Sequence, residues 1–376
     1  MTTSTAEAMA TAAVHLARGF LLADLPDEAL EHFHVALDHG LPGGMSAQLP
    51  LLMAEAERCS ERGDEREAVQ RWQDIASLLG DATPEVIYHR LGEAYAANRV
   101  GFGGSDEDNT TWGDCSKHEV LRWLQHTLLP ALYLEIGVDQ GVSLACSTGP
   151  AIGIDPRPGL VLCEPLPPQA QIISCSSDAF FADEAMASLS TAPELAFIDG
   201  MHLFEFALRD LLNCERTMAP WGLVVIDDIY PCQPVQASRR RRSGAWTGDV
   251  WKLVPILRQH RPDLTMVCLN THTTGLLLLA GLDPGAAGPW RQALADRYDE
   301  VVRKYRPLTS PPVEVIERHG AIPSYHKLVG ELVEKLRQAR CGQWSTAMLQ
   351  EVLAPLKPQI NAAEEMYLGL AASLSR

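Results

Sequence analysis

The sequence predicts an α/β chain: a mostly parallel sheet of five strands closed by an antiparallel hairpin, set between an all-helical N-terminal domain and a helical C-terminal extension. Three observations predict it. From residue 131 onward, short continuous apolar runs alternate with stretches of helical periodicity, the pattern of parallel strands buried on both faces. The last two runs, in "LTMVCLNTHTTGLLLLAGL", have only a short connection, so those strands must be antiparallel. Before residue 100 there is no strand-like alternation, only helical spacing.

The totals suit a globular protein. The chain has 376 residues, 46% hydrophobic and 21% charged, enough for a sizeable core and two or three domains. A net charge of −17 and a pI near 5.1 repel phosphate backbones and acidic lipid, so neither nucleic acid nor membrane is an expected partner. The nine cysteines are an odd number without a CxxC pair, which predicts reduced thiols and a cytoplasmic location. No basic region followed by an apolar core opens the chain, and the longest apolar run, "LLLLAGL", is too short to span a bilayer.

Residues 1–99 read as helical hairpins. "PDEALEHFHVAL" and "DEREAVQRWQDIASLL" carry helical spacing; Ala29 precedes Phe33, and Ala68 precedes Trp72, by four residues. With "YHRLGEAY" from Tyr88 these are similar to degenerate tetratricopeptide repeats. Residues 100–114, "VGFGGSDEDNTTWGD", lack periodicity and read as a linker or flap. Ser116 and Glu119 then form a capping box that opens a helix. The strands of the 115–284 domain are "ALYLEIG", "PAIGID", "QIISCSS", "ELAFIDG" and "GLVVIDD", followed by the hairpin. Residues 285–376 read as helices that pack on this domain or on a second subunit, which leaves a homo-oligomer through the terminal helices open.

Parallel sheets of this kind bind ligands at the carboxyl ends of their strands. The first strand ends in "LEIGVDQGVSL", where Asp139 stands in place of the middle glycine of a dinucleotide fingerprint. A pyrophosphate would meet a carboxylate there. S-adenosylmethionine (SAM) carries a sulfonium and no phosphate, so it suits this turn better than NAD does. Glu135 is placed for its amino group, Gly137 and Gly141 for close backbone passage, and Ser143 is a further cofactor-binding candidate. Asp155, ending the second strand, is placed for the ribose hydroxyls, and Ser177 and Asp178, after the third, for the adenine.

Asp199 ends the fourth strand, and Asp227 with Asp228 the fifth. Neighbouring strands lie about 4.8 Å apart, so these carboxylates converge and call for a hard divalent cation, Mg²⁺ by their oxygen donors. Asp199 thus belongs to both the cofactor and the metal set. His202 follows at the mouth of the fourth strand as candidate general base. In "ASRRRRSGAWTGDVWKLVP", Arg240 and Trp246 are candidate acceptor contacts and Asp249 an alternative base. An arginine run is also commonly just solvated.

The stretch "AFIDGMHLFEFALRDLLNCERTMAPWGLVVIDDIYP" resembles the SAM-dependent class I methyltransferases, in particular the metal-dependent macrolide-sugar O-methyltransferase type with its DGxH and DD elements. The resemblance covers roughly 130 to 280 and implies a Rossmann-like sheet, Mg²⁺ at the aspartates and a histidine base. It implies O-methylation of a small hydroxylated acceptor, a sugar or natural product. The competing reading is a non-catalytic interaction protein whose helical hairpins recruit a partner and whose SAM-binding domain is only a scaffold.

Overall fold

The structure, a computed structural model, describes residues 53, 56–79, 83, 85–97, 103–158, 165–183, 189–285 and 288–374. Its contacts divide the chain into two units, residues 1–102 with 174–179, and residues 103–173 with 180–376.

The described part of the first unit is a helical hairpin of α1 (Glu65–Leu79) and α2 (Glu85–Ala97). Its spacing explains its packing: Ala68 and Trp72, one turn apart, are both buried, as is Tyr88 of the second helix. Gln73 donates to the Tyr95 hydroxyl across the pair at 2.7 Å. Ala29 and Phe33, and with them the test of a regular repeat, lie outside the described residues.

The second unit opens with α3 (Lys117–Leu128), where the capping box forms as expected: Ser116 accepts from the Glu119 amide and the Glu119 carboxylate accepts from the Ser116 amide. Then follow β1 (Tyr133–Ile136), β2 (Ala151–Ile154), β3 (Ala170–Ile173), β4 (Leu195–Ile198), α5 (Phe204–Thr217), β5 (Leu223–Ile226), α6 (Leu253–His260), β6 (Thr265–Leu269) and β7 (Leu276–Ala280). The short α4 (Ser177–Ala182) lies between β3 and β4 in the chain. After Gly141 only a single 3₁₀ turn, Leu144–Cys146, stands before β2.

With β8 (Ala321–Ile322), the sheet order is β3-β2-β1-β4-β5-β7-β6-β8, with β1 to β5 parallel and β7 antiparallel to both neighbours. This is the Rossmann-like class I methyltransferase arrangement. One strand departs from expectation. β8 (Ala321–Ile322) pairs parallel with β6, so the C-terminal region is not wholly helical. Two residues carry no periodicity, and the strand exists only because β6 offers it an edge.

Residues Leu195, Phe197, Val225 and Leu278 form one core with Leu121 and Leu124 of α3 and with α10 (Lys327–Gly342), α11 (Thr346–Leu353) and α12 (Leu356–Leu374). The C-terminal helices therefore pack on the sheet of their own chain. The other helices of this region are α7 (Pro289–Ala295), α8 (Tyr298–Tyr305) and α9 (Val313–Ile316). No described helix is long and apolar enough to cross a membrane.

The segment read as a linker or flap is tied down over residues 103–114. Asn109 Oδ1 accepts from the Gly244 and Ala245 amides, Gln236 donates to the Asp108 and Thr110 carbonyls, and the Asp114 amide donates to Asn270 O.

Candidate active site

The site is built where β1, β4 and β5 end side by side. All four residues of β1 are buried, and Glu135 among them is wholly inaccessible. Its Oε2 accepts from the Tyr133 hydroxyl at 2.6 Å, while Oε1 is buried without a hydrogen-bond partner. Burial, only partly offset by the tyrosine, pushes its carboxyl up to about 8. A carboxyl that is neutral when folded binds a proton the unfolded chain has released. The stability it carries is therefore fully present below about pH 4.3 and is lost as pH rises to about 8. Over that window Glu135→Gln should flatten the fall in unfolding free energy by about 1.4 kcal/mol per pH unit, read from urea midpoints. An unchanged slope would contradict the assignment.

Gly137 turns the chain at φ +85°, and a Cβ there would meet the Asp199 carbonyl oxygen at 2.1 Å. Close approach of two strand ends is thus the reason for glycine. Gly137→Ala should cost at least about 3 kcal/mol, measurable by chemical denaturation, and should displace Asp199. Three non-glycine residues at these strand ends also adopt left-handed backbone: Asp139 at φ 43°, His202 at 56° and Asp228 at 67°. Such conformations cost energy and persist where the surroundings over-determine them, often at functional sites.

Asp155 does not stand open. Its Oδ2 accepts from the Val138 and Asp139 amides at 2.9 and 3.0 Å and its Oδ1 from the Arg157 amide, so here it fastens the glycine turn. Gly141 closes that turn through its amide to Val138 O, and Ser143 is buried at the start of the 3₁₀ turn. Ser177 and Asp178 group with the helical unit, where the Asp178 carboxylate accepts from the Tyr88 hydroxyl at 2.8 Å.

At the ends of β4 and β5 the three aspartates separate into two roles. Asp227 Oδ2 and Asp199 Oδ2 each accept from Lys117 Nζ at 2.6 Å. Asp227 Oδ1 accepts from the Thr274 hydroxyl and the Asp228 amide. Asp199, His202 and Asp228 instead form a group whose ligand atoms all lie within 4.8 Å of one another. Of the expected set Asp199, Asp227 and Asp228, Asp227 turns to Lys117, while His202 stands beside the other two. Lys117 is what the sequence reading missed. Three converging carboxylates require a counter-cation, and that requirement was the available signal; the lysine itself lies 82 residues before Asp199 in the chain. It is held there because its amide donates to His272 O, next to the His272 amide donating to Cys115 O.

The electrostatics follow. Burial alone would raise Asp199, but Lys117 and then His202 outweigh it and hold the carboxyl below its usual range. Burial dominates at Asp227 and lifts it to about 6 despite Lys117. Burial works against the Lys117 charge, yet Asp199 and Asp227 raise it well above an ordinary lysine.

His202 Nδ1 lies 2.7 Å from Asp228 Oδ2 and Nε2 lies 3.5 Å from Asp199 Oδ1. Burial opposes its charge, but Asp228 and then Asp199 carry it up to about 9. Between these carboxylates the imidazole is protonated at neutral pH, so it is not a ready base in this state. Its ring is stacked on Trp246, 4.9 Å between centroids and 3° from parallel.

The 237–255 segment supports this histidine and does not stand open to an acceptor. Trp246 is buried, donates from Nε1 to Ser238 O at 2.6 Å and has the Arg241 guanidinium 5.6 Å from its ring. Its expected role as a free stacking platform gives way to fixing the imidazole plane. Asp249 is buried and receives Arg239 and Lys252 at 2.7 Å each, and its Oδ1 accepts from the Phe204 amide at the start of α5. Doubly ion-paired, it is an anchor and not a base. Arg239 completes the anchor through Glu205. Arg240 is exposed, so the arginine run is neither wholly solvated nor wholly at the site.

Residues 134–229 match a family model described as a methyltransferase domain. Among solved structures, the chain is similar to an O-methyltransferase from Bacillus cereus in complex with SAH (S-adenosylhomocysteine), at 12% identity over 56% of this chain and 99% of that one, TM-score 0.35. It is also similar to an O-methyltransferase family protein from Burkholderia thailandensis, at 11% identity over 68% of this chain and 83% of that one, TM-score 0.35. No curated protein matches the chain. The matched segment, with the strand order described above, is a methyltransferase domain.

Proposed function

We propose that this chain transfers the methyl group of SAM to a hydroxyl oxygen of a small metabolite of the sugar or natural-product kind, assisted by a divalent cation beside Asp199, His202 and Asp228. The observation that carries the reading is the convergence of those three groups at the ends of β4 and β5, next to the glycine turn that ends β1.

The residues fit both guests. The Glu135 oxygen that is buried without a partner suits an ammonium donor such as that of SAM, and the two carboxylates and imidazole are ordinary cation ligands. When bound, the cation supplies Lewis-acid stabilisation of an acceptor oxygen carrying negative charge. Lys117 holds one oxygen of Asp199 and so orients the other towards His202. Trp246 holds the imidazole plane. The Arg239, Asp249 and Glu205 anchor fixes the loop that carries Trp246, and Asp249 bonds back through its amide to His202 O. For His202 to accept the acceptor proton, the charge on Asp228 and Asp199 must first be neutralised.

The test is incubation of the full chain with SAM, Mg²⁺ or Mn²⁺ and a panel of hydroxylated small molecules, followed by mass spectrometry. Release of SAH with a product one methyl heavier is expected. Tight SAM binding without turnover under any cation, with all acceptors, would favour the scaffold reading instead.

A further inference from the structure

Lys117 has no part in the sequence pattern, yet it makes two short ion pairs, to Asp199 and Asp227, 2.6 Å each. We propose that Lys117 decides which groups hold the cation, and that the set it leaves, Asp199, His202 and Asp228, selects a first-row transition cation such as Mn²⁺ or Co²⁺ over Mg²⁺. This rests on the functional reading above only in placing a cation at these strand ends.

Asp227 is fully engaged. One oxygen takes the ammonium, and the other takes the Thr274 hydroxyl at 2.9 Å and the Asp228 amide at 2.8 Å. To ligate a cation it would have to surrender Lys117, which lies 2.6 Å from its Oδ2. Asp199 is divided, giving Oδ2 to Lys117 and leaving Oδ1 towards His202. Asp228 has its Oδ2 beside the imidazole. The two carboxylates that remain available are thus completed by a nitrogen donor and not by a third carboxylate.

Donor type points the same way: the cation would meet two carboxylates and one imidazole nitrogen. Magnesium demands near-octahedral oxygen and keeps its waters, whereas imidazole suits first-row transition ions. A backbone φ of 56° at His202 and the stacked Trp246 hold the imidazole at the carboxylates, as expected of a ligand whose orientation is set from outside. Lys117 is therefore a positioning residue: it acts on the cation through Asp199 and Asp227.

The experiment is electron spin-echo spectroscopy of the Mn²⁺-loaded full chain without SAM, with Mg²⁺ competition as second readout. Directly bound ¹⁴N should modulate the wild-type Mn²⁺ signal, and His202→Gln should abolish that modulation. Lys117→Met frees Asp227 and should improve Mg²⁺ affinity relative to Mn²⁺ by about tenfold. Lys117→Arg retains the cation and should keep the wild-type preference, so it carries the test if the methionine variant fails to fold. Bound Mn²⁺ without nitrogen modulation, no Mn²⁺ binding, or an unchanged Mg²⁺ to Mn²⁺ ratio in folded Lys117→Met would each overturn the proposal. SAM affinity, measured separately, tells this failure from failure of the methyl-transfer reading.

Discussion

Asp199→Asn is expected to lower kcat/KM for methyl transfer by about a thousandfold while the protein stays folded. Asparagine keeps the shape of the side chain and removes its charge. That charge is what Lys117 Nζ approaches at 2.6 Å and what His202 Nε2 faces at 3.5 Å, so one neutral substitution withdraws a cation ligand and releases both neighbours. Lys117 keeps Asp227 as partner, which limits the cost in stability. The measurement is SAH release at saturating cation, beside SAM affinity by calorimetry. Loss of turnover with SAM affinity kept within a few fold is the predicted result. A rate near that of the wild type would remove Asp199 from the chemistry.

The largest effect on stability should come from a place remote from the strand ends. Arg261, 1% exposed, binds both oxygens of Glu215 on α5 at 2.6 and 2.7 Å and both oxygens of Asp263 at 2.9 and 2.7 Å. Glu215 in turn accepts from the Asp283 amide. The cluster ties α5, the end of α6 and the loop after β7 together. Arg261→Met keeps an apolar stem but leaves two buried carboxylates without a counter-charge, and should cost about 3 to 5 kcal/mol, read from urea unfolding. Adding Glu215→Leu should restore part of that loss, because it removes one stranded charge. A loss below about 1 kcal/mol would mean that water reaches the cluster and screens it.

The sheet was legible because its determinants are local. β1, β4 and β5 are buried along their whole length, and such strands must be written as unbroken apolar runs. The hairpin of β6 and β7 followed from the length of its connection. β8 was not legible, since its two residues become a strand only beside Cys268 and Leu269. The strand-end acids at the site were legible for the same local reason: a carboxylate closing an apolar strand stands out.

Their division of labour was not legible. Asp227 and Asp228 are adjacent in sequence, yet one turns to Lys117 and Thr274 while the other faces His202. That choice depends on a lysine and a threonine from distant parts of the chain. Asp249 and Trp246 misled for a related reason. Both residue types fit an acceptor site, but Arg239 and Lys252 neutralise the first and His202 covers the second. A residue type announces what it can do, while its partners, often far along the chain, decide what it does.

The most direct test is equilibrium dialysis of labelled SAM against the wild-type chain and Asp155→Ala. One site per chain in the micromolar range, about −8 kcal/mol, is expected, weakened at least tenfold when the turn held by Asp155 loses its fastening. A folded wild-type chain that retains no SAM would contradict this expectation.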